Sequence, residues 1–393
     1  MSPTRRQALG RLAAWPGAAA LGAVAVPARV RAAACLPWPA WDSFVANFIG
    51  SGGRVVERAD ARQRTVSEAQ AYAMFFALVA NQRALFERLL RWTEENLAGG
   101  DLTQQLPAWH WGRRDDGSWG VIDANAAADA DLWIAHALGE AGRLWGVRRY
   151  SALAALLAER VLREETAELP GLGPTLLPGP RGFVVAPGRW RLNPSYLAPM
   201  QLRWFATRLG APWQTLYDSA LKVLQGSAPR GLAPDWTIYD GTAQRFMHDA
   251  GAGSYDAIRV YLWLGLSAAS RDPALAALQA HFAPMAAATV AGGAPPERVD
   301  ALAGASAGDG PPGFSAALLP WLRTLGRADA VRQQQQRLQE RPPAPHAYYD
   351  QVLRLFGLGA LEGRYAFDAE GSLLPAWNSC VAPGPTAAGR VPN

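Results

Sequence analysis

From residue 38 onward apolar side chains recur at i, i+3, i+4 and i+7, the spacing that lays one stripe along a helix. The spacing predicts helices over 38–49, 67–80, 83–97, 125–145, 149–165, 194–209, 212–225, 255–266, 273–289, 314–325, 328–341 and 347–357. Asn193-Pro194 reads as a helix cap followed by proline in the first turn. Glycine and proline clusters at 99–100, 178–180 and 311–313 punctuate the gaps, and 170–191 is the best candidate for β-hairpin structure. Strands and helices do not alternate, which argues against a doubly wound sheet. Helices joined by short loops leave two architectures, a solenoid or a closed toroid. A solenoid needs a fixed repeat period and the sequence has none, so the pattern predicts one all-α domain of paired helices over 35–393.

The first 34 residues follow a different pattern. Thr4-Arg5-Arg6-Gln7-Ala8-Leu9 resembles the twin-arginine export motif, and the apolar stretch behind it is short and broken by Pro16. Ala32-Ala33-Ala34 supplies the small residues that a signal peptidase needs, so 1–34 is expected to be an export signal and the mature chain periplasmic or secreted. The leader also distorts the charge balance. Its five arginines account for the whole +5 of the chain, because removing them from 38 Lys+Arg leaves 33 against 33 Asp+Glu. A neutral mature domain argues against a nucleic-acid partner. An oxidising compartment would allow Cys35 and Cys380 to pair; a lipidated Cys35 or two free thiols are the alternatives.

Several chemistries are absent. The five histidines stand too far apart for a metal-binding helix pair, and no nucleotide-binding glycine loop or serine elbow is present, so neither metal, nucleotide nor other cofactor is expected. Carboxylates and aromatics remain. Sixteen tryptophans are many, and Trp109 and Trp111 lie in a probable loop, where flat rings can stack on the CH faces of sugars. Three segments carry acids: Thr65-Val66-Ser67-Glu68, Asp129-Ala130-Asp131, and Asp256-Ala257-Ile258-Arg259. Each has a structural alternative: a capping box for Glu68, an ordinary first-turn acid for Asp129 or Asp131, and a surface ion pair for Asp256 with Arg259. Asp129 and Asp131, two apart, point to different sides of a helix.

The run Ala127-Ala128-Asp129-Ala130-Asp131-Leu132-Trp133-Ile134-Ala135, continuing to Trp145, closely resembles the signature of family-8 glycoside hydrolases, with Ala128 where that family usually has Ser or Thr. Ser67-Glu68-Ala69-Gln70, Asn193-Pro194-Ser195-Tyr196 and Tyr255-Asp256-Ala257-Ile258-Arg259 are similar to segments of the family's endoglucanases encoded with bacterial cellulose synthase. The resemblance implies an (α/α)6 toroid with a small β-hairpin region and an inverting endo-β-1,4-glucanase acting in the periplasm. It implies Glu68 as general acid, Asp256 as general base and Asp129 as a residue binding and distorting the central sugar. Trp109, Trp111, Tyr196 and Arg259 are the expected substrate contacts. The implied partners are β-1,4-glucan and the cellulose synthase export complex. The same fold acting on chitosan, xylan or mixed-linkage glucan, or a non-catalytic glucan binder, are the competing expectations.

Overall fold

A computed structural model describes residues 37–247 and 251–380; the expected export signal and Cys35 lie outside them. Two kinds of helix alternate along the chain. One kind is buried over most of its length: α2 (Ser67–Val79), buried at every position but Glu68, α4 (Ala128–Trp145), α6 (Pro199–Leu209), α8 (Ile258–Leu266), α11 (Pro312–Thr324) and α13 (Tyr348–Leu361). The other buries one stripe: α1 (Pro39–Phe48), α3 (Arg83–Leu97), α5 (Arg148–Glu164), α7 (Ala211–Gly226), α9 (Pro273–His281), α10 (Pro284–Gly292) and α12 (Ala328–Glu340). Burial on most sides needs neighbours all round, so the first kind forms an inner ring and the second an outer sleeve.

The ring runs α2, α4, α6, α8, α11, α13, each packed on the next. Phe356 of α13 closes it, its ring centre 4.6 Å from that of Phe76 and 5.6 Å from that of Phe75, both on α2. The architecture is the (α/α)6 toroid. Its axis is filled, because Trp133, Trp263 and Phe356 meet with ring centres 5.1–5.3 Å apart.

Most connections out of the ring are tight: 80–82, 146–147, 210, 267–272 and 325–327. Most connections back into it are long and carry the small sheets, which therefore gather where the inner helices begin. β1 (Thr65–Val66), β2 (His110–Arg113) and β3 (Trp119–Asp123) form one antiparallel sheet, with Thr65 opposite Trp111 and Arg113 opposite Trp119. A two-stranded hairpin, β4 (Thr166–Leu169) with β5 (Gly173–Leu176), lies between α5 and α6. β6 (Val184–Ala186), β7 (Arg189–Leu192), β8 (Thr237–Asp240) and β9 (Arg245–Met247) form a four-stranded sheet in that order. β10 (Ala252–Gly253), β11 (Pro296–Asp300) and β12 (Ser306–Asp309) form a third sheet, and β13 (Tyr365–Phe367) pairs with β14 (Leu373–Pro375) beyond α13.

Several expected elements change. The hairpin over 170–191 is parts of two hairpins, because the Pro178-Gly179-Pro180 break separates β5 from β6. The helix expected over 273–289 is two, since Pro284 lacks the N–H that a continuous helix would use. The one expected over 194–209 is a 3-10 turn, Pro194–Tyr196, followed by α6, because Pro199 forces Ala198 into an extended conformation. Cys380 is disulfide-bonded.

Glycine sets the spacing inside the ring. A Cβ on Gly357 would run into the carbonyl of Ala316, so α13 and α11 touch backbone to backbone. Gly357→Ala should therefore cost about 1–3 kcal/mol, whereas Gly292→Ala, which has open space around it, should be neutral or slightly stabilising. Calorimetric melting of the two variants checks this.

Candidate active site

The acids expected from the sequence stand where inner helices begin: Glu68 and Asp129 in the first turns of α2 and α4, and Asp256 just ahead of α8. Helix N-termini favour negative charge, which is one reason carboxylates are tolerated there. They meet on Arg259, in the first turn of α8, whose side chain is 5% exposed. Its Nη1 pairs with Glu68 Oε2 and lies 3.4 Å from Asp129 Oδ2, while Nη2 lies 2.9 Å from Asp256 Oδ1 and 3.0 Å from Ser195 Oγ. Two of the structural alternatives do not hold, the capping box and the surface ion pair. Val66, not Thr65, is the N-cap of α2 and makes no side-chain bond; Thr65 Oγ1 donates to the carbonyl of Val55 at 2.6 Å. The Asp256–Arg259 pair is anchored in a buried guanidinium, not lying on the surface.

Asn193 and Asp235 fix the third acid. Asn193 Oδ1 accepts from the N–H and hydroxyl of Ser195 at 3.0 and 2.7 Å, while its Nδ2 donates to Asp256 Oδ2 at 3.2 Å. Each oxygen of Asp256 thus has its own donor. Asp235 Oδ1 takes the N–H groups of Ser254, Asp256 and Ala257 at 2.8–3.1 Å. That turn delays the helix expected from residue 255 until Ile258 and aims Asp256 at Arg259. Neither role was foreseen: Asn193 was legible only as a cap, and Asp235 has no sequence neighbour that marks it.

Three carboxyls around one guanidinium cannot all stay ionised in a site shielded from water. Burial, then the charge of Glu68, push the Asp129 carboxyl well above its ordinary range, against the pull of Arg259. Burial alone would lower the Arg259 guanidinium, but the acids, Glu68 foremost, hold it well above its usual value. The side chains of Asp129, Glu68 and Asp256 are 5%, 20% and 34% exposed, so the three acids differ in their access to solvent. Asp129, the acid expected at the central sugar, is buried beside Glu68 on the same arm of Arg259.

Of the expected aromatic contacts, Tyr196 joins the cluster, with the Arg259 guanidinium 5.8 Å from its ring. It also faces Trp236, which stacks on Phe183 at an interplanar angle of 5°. Trp109 flanks the acids through its backbone, its carbonyl accepting from the N–H of Ser67 at 3.0 Å. Trp111 does not reach them: its ring contacts are Arg54, Trp92 and Trp119.

Beside the cluster, Asp131 turns away from Asp129 and faces Glu165. Both are fully buried, and apart from each other neither carboxyl has a hydrogen-bond partner. Burial first and the neighbouring acids second push both well above the ordinary range, so the pair shares a proton.

Residues 17–363 match the family model for glycosyl hydrolases family 8. The chain is 48% identical over 356 residues to an endoglucanase of Salmonella typhi, covering 90% of this chain and 95% of that one. Its fold is similar to that of an endo-1,4-D-glucanase from Vibrio fischeri ES114, with a TM-score of 0.83 and 44% identity, covering 87% and 100% of the two chains. It is also similar to that of an endo-beta-1,4-glucanase from Acetobacter xylinum, with a TM-score of 0.67 and 26% identity over 85% and 99%.

The Asp131–Glu165 pair generates a pH prediction. A carboxyl whose folded pKa is raised adds stability that is complete below its unfolded pKa and is lost as pH rises through the folded one. Glutamine keeps a donor at every pH. Glu165→Gln should therefore be more stable than the parent by about 1–3 kcal/mol at pH 8, and the two should converge near pH 4. Melting temperatures across that range check the sign.

Proposed function

The chain belongs to the glycosyl hydrolases of family 8 and is an endoglucanase; from that premise we propose that it cleaves β-1,4-glucan with inversion, using Glu68 and Asp256. Glu68 gives its proton to the glycosidic oxygen as the bond from that oxygen to C1 breaks. Asp256 takes a proton from the water that attacks C1 on the opposite face, which yields the α-anomer. The observation that carries this division is the graded exposure around Arg259. Asp256 is the most open of the three to solvent, and its donors Arg259 and Asn193 hold both oxygens in place. Asp129 is too enclosed to attack a sugar carbon. Its carboxyl keeps its proton and, on the same arm of Arg259 as Glu68, serves as a positioning residue for that acid.

The leader supports the further proposal that the enzyme works in the periplasm, and the resemblance of its segments to endoglucanases encoded with cellulose synthase supports action on glucan leaving that complex. Mass spectrometry of the periplasmic fraction should find a mature N-terminus at or near Cys35; full-length chain confined to the cytoplasm would defeat this.

Reducing-end release from carboxymethylcellulose, mixed-linkage glucan, xylan and chitosan should be greatest for carboxymethylcellulose. Glu68→Gln and Asp256→Asn should each lower kcat by at least about 10²–10⁴-fold. NMR of fresh hydrolysate should show the α-anomer first. A β-anomer first, or a glycosyl adduct on Asp129, would overturn the inverting assignment.

A further inference from the structure

Away from the acids, the β1–β2–β3 sheet carries a stack of three indoles. Trp92 of α3 meets Trp111 edge-on at 5.4 Å, and Trp111 lies nearly parallel to Trp119, with centres 5.6 Å apart and planes at 20°. Arg54 braces the middle and outermost rings, its guanidinium carbon 4.2 Å from the centre of Trp111 and 4.9 Å from that of Trp119. Arg54 is itself tied down, donating to Thr65 Oγ1 at 2.9 Å and to the carbonyl of Gln63. The register explains the stack. Trp111 opposes Val121 and Trp119 opposes Arg113, so side-chain alternation puts both rings on one face of the sheet.

The outermost ring is left 47% exposed. Single exposed apolar residues are common, but this one is held at a fixed tilt by the Trp111 ring and the Arg54 cation. Its surroundings are polar, with Arg113 opposite it in the strand pair and the Arg62–Asp115 ion pair alongside β2. A rigid flat apolar face with hydrogen-bonding groups at its rim matches one face of a pyranose and its equatorial hydroxyls. The position is remote from the chemistry. Ser67, next to Glu68, is bonded to the backbone of Trp109, and Arg113 lies four residues further along the β2 strand, which at about 3.3 Å per residue places the Arg113–Trp119 pair on the order of 10–15 Å from the acid. A ring there cannot touch the bond being cleaved.

We propose that Trp119 is an outlying platform for β-1,4-glucan, stacking on a sugar several units from the scissile bond, with Trp111 and Arg54 as its support. This assignment rests on the β-1,4-glucan reading of the substrate, and it moves Trp111 from sugar contact to support. The platform makes affinity depend on chain length, since only a long glucan reaches both Arg259 and Trp119.

The test measures binding of the mature enzyme to carboxymethylcellulose at low temperature. Trp119→Ala should raise the Kd about three- to tenfold, and Trp119→Tyr should recover most of the loss. Unchanged affinity in Trp119→Ala with an unaltered melting temperature overturns the proposal. Should the alanine variant melt early, oxidative footprinting of the unmodified enzyme decides: carboxymethylcellulose should protect the Trp119 peptide, and cellobiose should not. Protection absent with both overturns the platform. An enzyme that neither binds nor cleaves any β-1,4-glucan would instead overturn the substrate reading, whereas binding indifferent to Trp119 defeats the platform alone.

Discussion

One buried guanidinium organises the centre of this molecule. Among the described residues Arg259 is the cation bonded to all of Glu68, Asp129 and Asp256, and its two terminal nitrogens divide them, the first two on one arm and the third on the other. The imbalance of three acids to one base keeps a proton in the site, because the ionised form of every carboxyl cannot be sustained in that enclosure. The protein resolves the imbalance by position. Asp129 is sealed in and keeps the proton, while Asp256 opens to solvent and is bonded through both oxygens. The same chemical group thus acquires different roles according to where each helix begins.

The toroid makes that convergence a matter of topology. Buried inner helices alternate with striped outer ones, so chain direction repeats around the ring and the inner N-termini share one rim. Short turns close most of the opposite rim, where Gly146 and Gly210 adopt the left-handed region that a tight reversal needs. The longer returning segments are free to carry sheets, and those sheets are what shape the mouth: β1 feeds directly into α2 and Glu68, and the turn after β10 leads into Asp256.

Most of the helical layout was legible, because inner and outer helices differ in a periodicity that can be counted. Residues 67–79 read as a helix on pattern alone. The sheets were not, since strands of two to five residues are too short to display a period of two. In the site, Asp129 was carried by its signature, and Glu68 and Asp256 by the resemblance of their segments. Asp235 escaped because its work is done on backbone N–H groups about twenty residues away, which no side-chain pattern encodes. Trp111, expected in a loop, lies in β2, and its surroundings depend on strand register, which sets its ring against Trp119 and Arg54. Asp131 reads in the signature like Asp129, yet an offset of two residues turns it toward Glu165 and out of the cluster.

The filled axis has a mechanical consequence. With Trp133, Trp263 and Phe356 blocking the bore, a polysaccharide cannot thread through the ring as a rope through a pulley. It can only lie across the rim, with both tails trailing free. Such an enzyme needs no chain end to begin, lets go of both fragments sideways, and has no track along which to ratchet forward. Scission should therefore fall at scattered interior points, shortening the polymer rapidly long before much small sugar accumulates.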